Sequence, residues 1–263
     1  MILFRQFLRS QRTGLLIWLG ATVLLALALA ASSTGMQQND LVERIATKLP
    51  AALQALLGLV PGLSGVDAFV SAKLGVSLGL ILPAYACLLA IAAVTREVDS
   101  GRMDFLLALP IERCQLLLAR WAGMAVDLAI VAVGAWAALV IGLKANRVCG
   151  SYAGYLWMAL QAWFLSLGCG SLAMLASVWI DDYGAAVKYI LGGLGVLFSL
   201  DLGLKAMNVA KFWRAFNPFA YFDAARPIAE HHLLWGDAVV MLATSFVAVW
   251  LATRAFARKQ IHA

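Results

Sequence analysis

The sequence predicts an all-α polytopic membrane protein with six transmembrane helices, and three observations carry that prediction. Of its 263 residues, 63% are hydrophobic and only 13% are charged, whereas a water-soluble domain holds roughly 45–50% apolar and about 25% charged residues. Mean hydropathy is +0.87. The apolar residues also gather in long runs, and a helix needs about 20 of them to cross the hydrocarbon core. These features exclude a disordered chain, a secreted disulfide scaffold and a nucleic-acid-binding domain. The net charge of +6 would point to nucleic acid in a soluble protein. In an embedded one it reflects Lys and Arg gathered at membrane ends, where they fix topology and meet anionic lipid headgroups.

Residues 1–13 come first. Arg5, Arg9 and Arg12 recur every three or four positions among apolar residues, the pattern of an amphipathic helix lying in the membrane interface. Residues 15–31 form the first apolar run. Its rival reading is a cleaved signal peptide, because a basic start precedes it and Ala26, Ala28 and Ala30 supply small-x-small sites. The loop 32–71 is expected to hold short surface helices: Asp40 can cap one that Pro50 stops, and Leu53, Leu56, Leu57 and Val60 share a face of the next.

The second span is expected at 73–94, where Gly75 and Gly79 permit close approach of a neighbouring helix and Pro83 permits a kink. The third covers about 121–143 and the fourth 154–180, with a small-residue cluster at 166–171 that reads as packing. Asp181, Asp182, Tyr183 and Gly184 make a turn short enough for the fourth and fifth spans to be antiparallel neighbours. The fifth runs over 185–204, an aromatic and basic loop over 205–235, and the sixth over 236–256. The whole chain, 1–263, reads as one membrane domain.

An even span count puts both termini on one side. With that side cytoplasmic, eleven of the 20 basic residues lie inside: Arg5, Arg9, Arg12, Arg96, Arg102, Arg113, Arg120, Lys188, Arg254, Arg258 and Lys259. The positive-inside rule therefore leans towards cytoplasmic termini. Arg113 and Arg120 suit the headgroup level. Cys87, Cys114, Cys149 and Cys169 show no C-x-x-C pairing and read as small core residues.

Three ionisable residues fall near or within span boundaries, which makes each a functional candidate because charge in hydrocarbon is costly. Lys188 can snorkel to the surface and meet Asp181 or Asp182. Asp201 has Lys205 one turn on, the spacing of a helical ion pair. Asp127 has no local partner, so either an interhelical bond or substrate contact explains it. His231 and His232 lie beside Glu230, but adjacent side chains diverge on a helix and no third ligand is near, so no metal site is expected.

The stretch 95–113 is the most informative. Asp99 or Ser100 can cap a short helix, Phe105, Leu106 and Leu109 give it an apolar stripe, and Pro110 ends it. An amphipathic helix held across the membrane surface between two spans can pass force from a soluble partner to both.

Here the sequence resembles type-2 ATP-binding-cassette exporter permeases, on the positions Glu97, Gly101, Phe105, Leu106, Leu107, Pro110 and Arg113. Residues 49–58, Leu-Pro-Ala-Ala-Leu-Gln-Ala-Leu-Leu-Gly, look like the external segment of the multidrug and antibiotic-export branch. Residues 217–223, Asn-Pro-Phe-Ala-Tyr-Phe-Asp, are similar to the Pro-Phe-x-Tyr-Phe segment before that family's last span. Arg102 and Met103 depart from the family's usual Thr and small or apolar residue.

The resemblance implies a bacterial inner-membrane permease subunit with a cytoplasmic coupling helix seated on an ATP-binding-cassette subunit, present in two copies. Glu97, Gly101, Asp104, Phe105, Leu106, Leu109, Pro110 and Arg113 would form that contact. It implies pairing with a second permease copy or homologue, a re-entrant external segment before span six, and a path formed mostly from the second and fifth spans. Ser77, Tyr85, Tyr189, Gly193 and Ser199 are the expected lining, suited to an amphipathic antibiotic or drug. ATP and Mg would bind the partner, leaving this chain with no cofactor and no catalytic residue. The absence of any G-x-x-x-x-G-K-[ST] sequence agrees with that division of labour.

Other readings stay open on residues alone. An ion-driven secondary transporter would place ionisable groups at midplane breaks in helices, and an intramembrane enzyme would need a catalytic cluster within the spans. Export of lipid or peptide is a further alternative.

Overall fold

A computed structural model describes residues 11–36, 63, 65–99, 113–206 and 216–258. The interfacial helix expected at 1–13 and the loop 100–112 thus fall almost wholly outside the described residues. All regular structure among the described residues is helical. Six helices are long and apolar enough to cross a membrane: span 1 (Arg12–Ser32), span 2 (Gly65–Thr95), span 3 (Cys114–Ala145), span 4 (Tyr152–Ser177), span 5 (Tyr183–Leu204) and span 6 (Trp235–Phe256). Span 1, at 21 residues and 1.5 Å per residue, reaches roughly 30 Å, the thickness of the hydrocarbon core.

Spans 2 and 4 are the centre of the bundle, with 72% of each apolar window buried. Spans 3 and 6 flank them, and spans 1 and 5 lie at the margins, each only 17% buried. Small residues set these contacts. A Cβ on Gly142 would stand 2.6 Å from the Ala30 Cβ, and one on Gly134 would stand 2.5 Å from Leu19 Cδ1, so span 1 lies directly on span 3. The 166–171 cluster packs as expected: Gly170 sits against Ala86 and Met124, and Gly168 against Met241.

The helix of span 2 begins at Gly65, well before the apolar reading placed it. Val66, Ala68 and Val70 are buried, while Asp67, Ser71 and Lys73 break the apolar run that a hydropathy reading needs. Ser71–Gly75 forms a π turn, which holds an extra residue and offsets the faces before and after it.

The helix ends have local causes. Span 3 closes with Val148 N donating to Leu143 O at 2.9 Å and Arg147 N to Lys144 O at 3.1 Å, and Arg147 takes the left-handed φ of 55° that this cap requires. Ser151 caps span 4 by accepting from Gly154 N at 3.3 Å. Asp182 caps span 5, its Oδ2 accepting from Ala185 N at 2.5 Å, so this carboxylate serves the helix terminus rather than Lys188.

Three expectations need correction. Arg120 is buried against span 2 rather than extended towards lipid, and it donates to the Ala93 carbonyl across spans 2 and 3. Cys87 and Cys169 are buried, but Cys114 and Cys149 are exposed, because each sits at an end of the span 3 helix. Phe219 and Phe222, placed by the sequence in an aromatic and basic loop, are buried in the core.

Candidate functional site

The connection 100–112 joins the helix ending at Asp99 to the one starting at Arg113. Gly101, Asp104, Phe105, Leu106, Leu109 and Pro110 lie outside the described residues. The backbone of Glu97 and that of Arg113 belong to the two helix ends. What the structure does show is how firmly the ends of this connection are anchored. Thr95 Oγ1 donates to Ser177 O at 3.2 Å, joining spans 2 and 4, and Arg120 joins span 3 to Ala93 of span 2. The next residue, Trp121, donates through Nε1 to Ser171 Oγ at 2.9 Å and is 3.3 Å from Ser245 Oγ, and the two hydroxyls are 2.5 Å apart. Polar bonds between helices hold where no water competes. These bonds tie spans 2, 3, 4 and 6 to one another beside the ends of the connection.

The opposite end of the bundle carries a second network. Asp67 Oδ1 accepts from Tyr155 OH at 2.5 Å and from Ser151 N at 3.1 Å, which ties the start of span 2 to the start of span 4. Ser151 Oγ is 2.9 Å from His231 Nδ1. His232 turns the other way, its Nε2 3.4 Å from Glu230 Oε2, and Glu230 also pairs with Arg226 at 3.3 Å. The two imidazoles therefore serve different partners.

Residues 216–234 fold back over this end. Asn217 Oδ1 accepts from Phe219 N at 3.1 Å and caps the short turn Pro218–Tyr221, while its Nδ2 donates to Leu197 O of span 5 at 2.7 Å. Gln161 Nε2 of span 4 donates to Tyr221 O at 3.1 Å. The glycines of span 2 receive this segment: a Cβ on Gly79 would be 2.5 Å from Phe222 Cε1, and one on Gly75 would collide with the Ala224 Cβ. Gly154 similarly admits the Ile228 backbone, at 2.8 Å from an added Cβ. Gly75 and Gly79 do permit a close approach, and the nearest neighbour of each is this folded segment, with Met158 of span 4 next at Gly75.

The expected path residues do not meet within one chain. Tyr85 is 2% exposed and stacks on Trp18 of span 1, ring centroids 5.1 Å apart, and Ser77 is half-buried with its hydroxyl on Lys73 O at 2.6 Å. Tyr189, Gly193 and Ser199 instead lie on the exposed face of span 5. That face continues through Gly192, Gly195, Val196, Leu200 and Gly203, and nothing lies within 4 Å of a Cβ built on any of its glycines. Of the three charged candidates, Lys188 is exposed near the start of span 5, Asp201 is buried near its end, and Asp127 is buried inside the bundle.

The sequence model of the ABC-2 family transporter proteins matches residues 4–261. The chain belongs to that family. It is a multi-pass membrane transport component, a family whose members generally work with ATP-binding subunits in which the ATPase activity lies. No curated protein matches the sequence. Sequence reasoning missed the Asp67, Tyr155 and Ser151 link and the Trp121, Ser171 and Ser245 node. Their members are far apart in sequence, and only the fold brings them together.

Proposed function

We propose that this ABC-2 family chain is the permease subunit of an ATP-driven exporter for amphipathic compounds. The observation that carries the reading is the anchoring of the 96–113 connection to four spans at once through Thr95, Arg120 and Trp121. A helix in that connection, with Phe105, Leu106 and Leu109 facing an ATP-binding subunit, converts nucleotide-driven closure into movement of the bundle. The ligand shifts a conformational population because the ATPase dimer contacts the two states differently. Glu97, Gly101, Asp104, Pro110 and Arg113 shape and seat that helix.

The exposed, glycine-lined face of span 5 supports pairing with a second permease, identical or homologous. Closing such a pair would bring Tyr189, Gly193 and Ser199 of both subunits to one interface, a mostly apolar surface with scattered hydroxyls that suits an amphipathic cargo such as a drug. Both termini lie on the cytoplasmic side in this reading, in the inner membrane of a bacterium. ATP and Mg bind the two partner ATPase subunits.

Purifying the tagged chain from its native host and identifying what accompanies it tests this assignment. Wild type is expected to bring down an ATP-binding subunit, and Glu97→Ala or Phe105→Asp to lose it while the permease still folds. Retention of the ATPase by both variants would place the contact elsewhere.

A further inference from the structure

Asp127 stands close to the middle of the helix Arg113–Ala145. It is 1% exposed, and neither carboxylate oxygen has a hydrogen-bond partner. Tyr85 of span 2 is buried too, and its hydroxyl also lacks a partner. The register between spans 2 and 3 puts the two at one depth. Arg120 meets Ala93, the helices run antiparallel, and stepping from Arg120 to Asp127 or from Ala93 back to Tyr85 covers roughly 10–12 Å at 1.5 Å per residue. The Asp127 carboxylate accordingly lies within electrostatic reach of the Tyr85 phenol.

A buried carboxylate requires a positive partner or a proton. Among the described residues, no charged side chain is paired with Asp127. Besides Tyr85, span 2 carries Asp67 and Lys73 near its start, Asp67 engaged by Tyr155, and the Cys87 thiol, which is directed to the Cys169 carbonyl. From span 1, Trp18 covers Tyr85, and Thr22 directs its hydroxyl to Trp18 O at 2.9 Å. From span 4, Trp163 Nε1 donates to Ala125 O at 2.9 Å. On its own helix the nearest cation, Arg120, is two turns away on the Ala93 carbonyl. The three oxygens here, two from Asp127 and one from Tyr85, are too few to replace the coordination shell of a hard metal ion. They suffice for a proton.

We propose that Asp127 and Tyr85 form a proton-binding site between the first three spans. One proton joins the carboxylate, and no other bond changes. Protonation removes the buried charge; the two groups do not bond each other in this structure, and the acid O–H becomes a donor that Tyr85 Oη can accept once the two side chains close the gap. Span 1 is the cover: it is marginal in the bundle and holds the site shut through Trp18. When span 1 separates from span 2, water reaches the carboxylate and takes the proton. The coupling of that opening to ATP rests on the permease reading above, but proton occupancy does not, and it is measurable on this chain alone.

Infrared spectroscopy of the full chain in lipid vesicles at neutral pH is the test. Wild type is expected to show a carboxylic-acid carbonyl absorption that Asp127→Asn removes, that Asp127→Glu retains at a shifted position, and that Tyr85→Phe shifts. Trp18→Ala is expected to speed exchange of the acid proton for deuterium. If Asp127→Asn fails to fold, the Glu and Phe variants decide, and an absorption that neither shifts overturns the proposal. So does the lack of any such absorption in wild type. Its abolition by added tetraphenylphosphonium would overturn the proposal in favour of a site for organic cations.

Discussion

The fit of the 216–234 segment into span 2 can be tested at Gly75. Gly75→Ala sets a Cβ against the Ala224 Cβ, with Met158 Sδ at 3.1 Å and the Ala224 backbone at 3.5 Å. None of these can step aside freely, since Met158 and Ala224 are both buried. Overpacking of this kind costs about 1–3 kcal/mol. A compensating gain exists, because Ala in a helix interior is favoured over Gly by about 0.8–1.0 kcal/mol, so the single substitution understates the clash. Combining it with Ala224→Gly, which removes the colliding methyl, separates the two effects. The coupling energy of the double-mutant cycle reports the steric contribution alone. Reversible unfolding in mixed detergent micelles should give a coupling of about 1–3 kcal/mol in favour of the double mutant. Additivity within about 0.5 kcal/mol would mean that Gly75 and Ala224 do not touch, and the described packing of the segment would be wrong.

Two other outcomes follow from the same geometry. Tyr155→Phe deletes the donor to Asp67 and should cost about 1.5–3 kcal/mol, the range for hydrogen bonds to charged groups, in the same unfolding assay; no loss would show that the link between spans 2 and 4 carries no stability. Exposed Cys114 and Cys149 lie at opposite ends of span 3 while Cys87 and Cys169 are buried, so a membrane-impermeant maleimide should label Cys149 from outside intact cells and Cys114 only after the inner face is opened. Labelling in the reverse order would invert the proposed orientation.

The six crossings were legible because each is an apolar run near the length a bilayer demands. The start of span 2 was not, because Asp67, Ser71 and Lys73 interrupt its hydropathy; Asp67 is explained only by the fold, through Tyr155 and Ser151, whereas Ser71 bonds locally to Ala68 O at 2.9 Å. Gly75 and Gly79 announced a close contact without saying what would fill it, since a glycine records space and not the identity of its neighbour. Arg120 was misread for a related reason. An Arg near a span end ordinarily snorkels to water, and only the antiparallel register of spans 2 and 3 places the Ala93 carbonyl in its path. Phe219 and Phe222 belong to a segment whose composition matches an interface, but Asn217 turns it back on the bundle. Asp127 was recognisable as anomalous from sequence, whereas its companion Tyr85 was assigned to the path, because helix faces cannot be oriented without their neighbours.

The most direct test of the central claim is transport by the purified chain together with its ATP-binding subunit in sealed vesicles. Movement of an amphipathic fluorescent dye that begins on addition of ATP and Mg, stops with a non-hydrolysable analogue and is lost in Phe105→Asp is the result expected of an ATP-driven exporter. Movement of a solute by the chain alone, driven by an ion gradient without ATP, would contradict it.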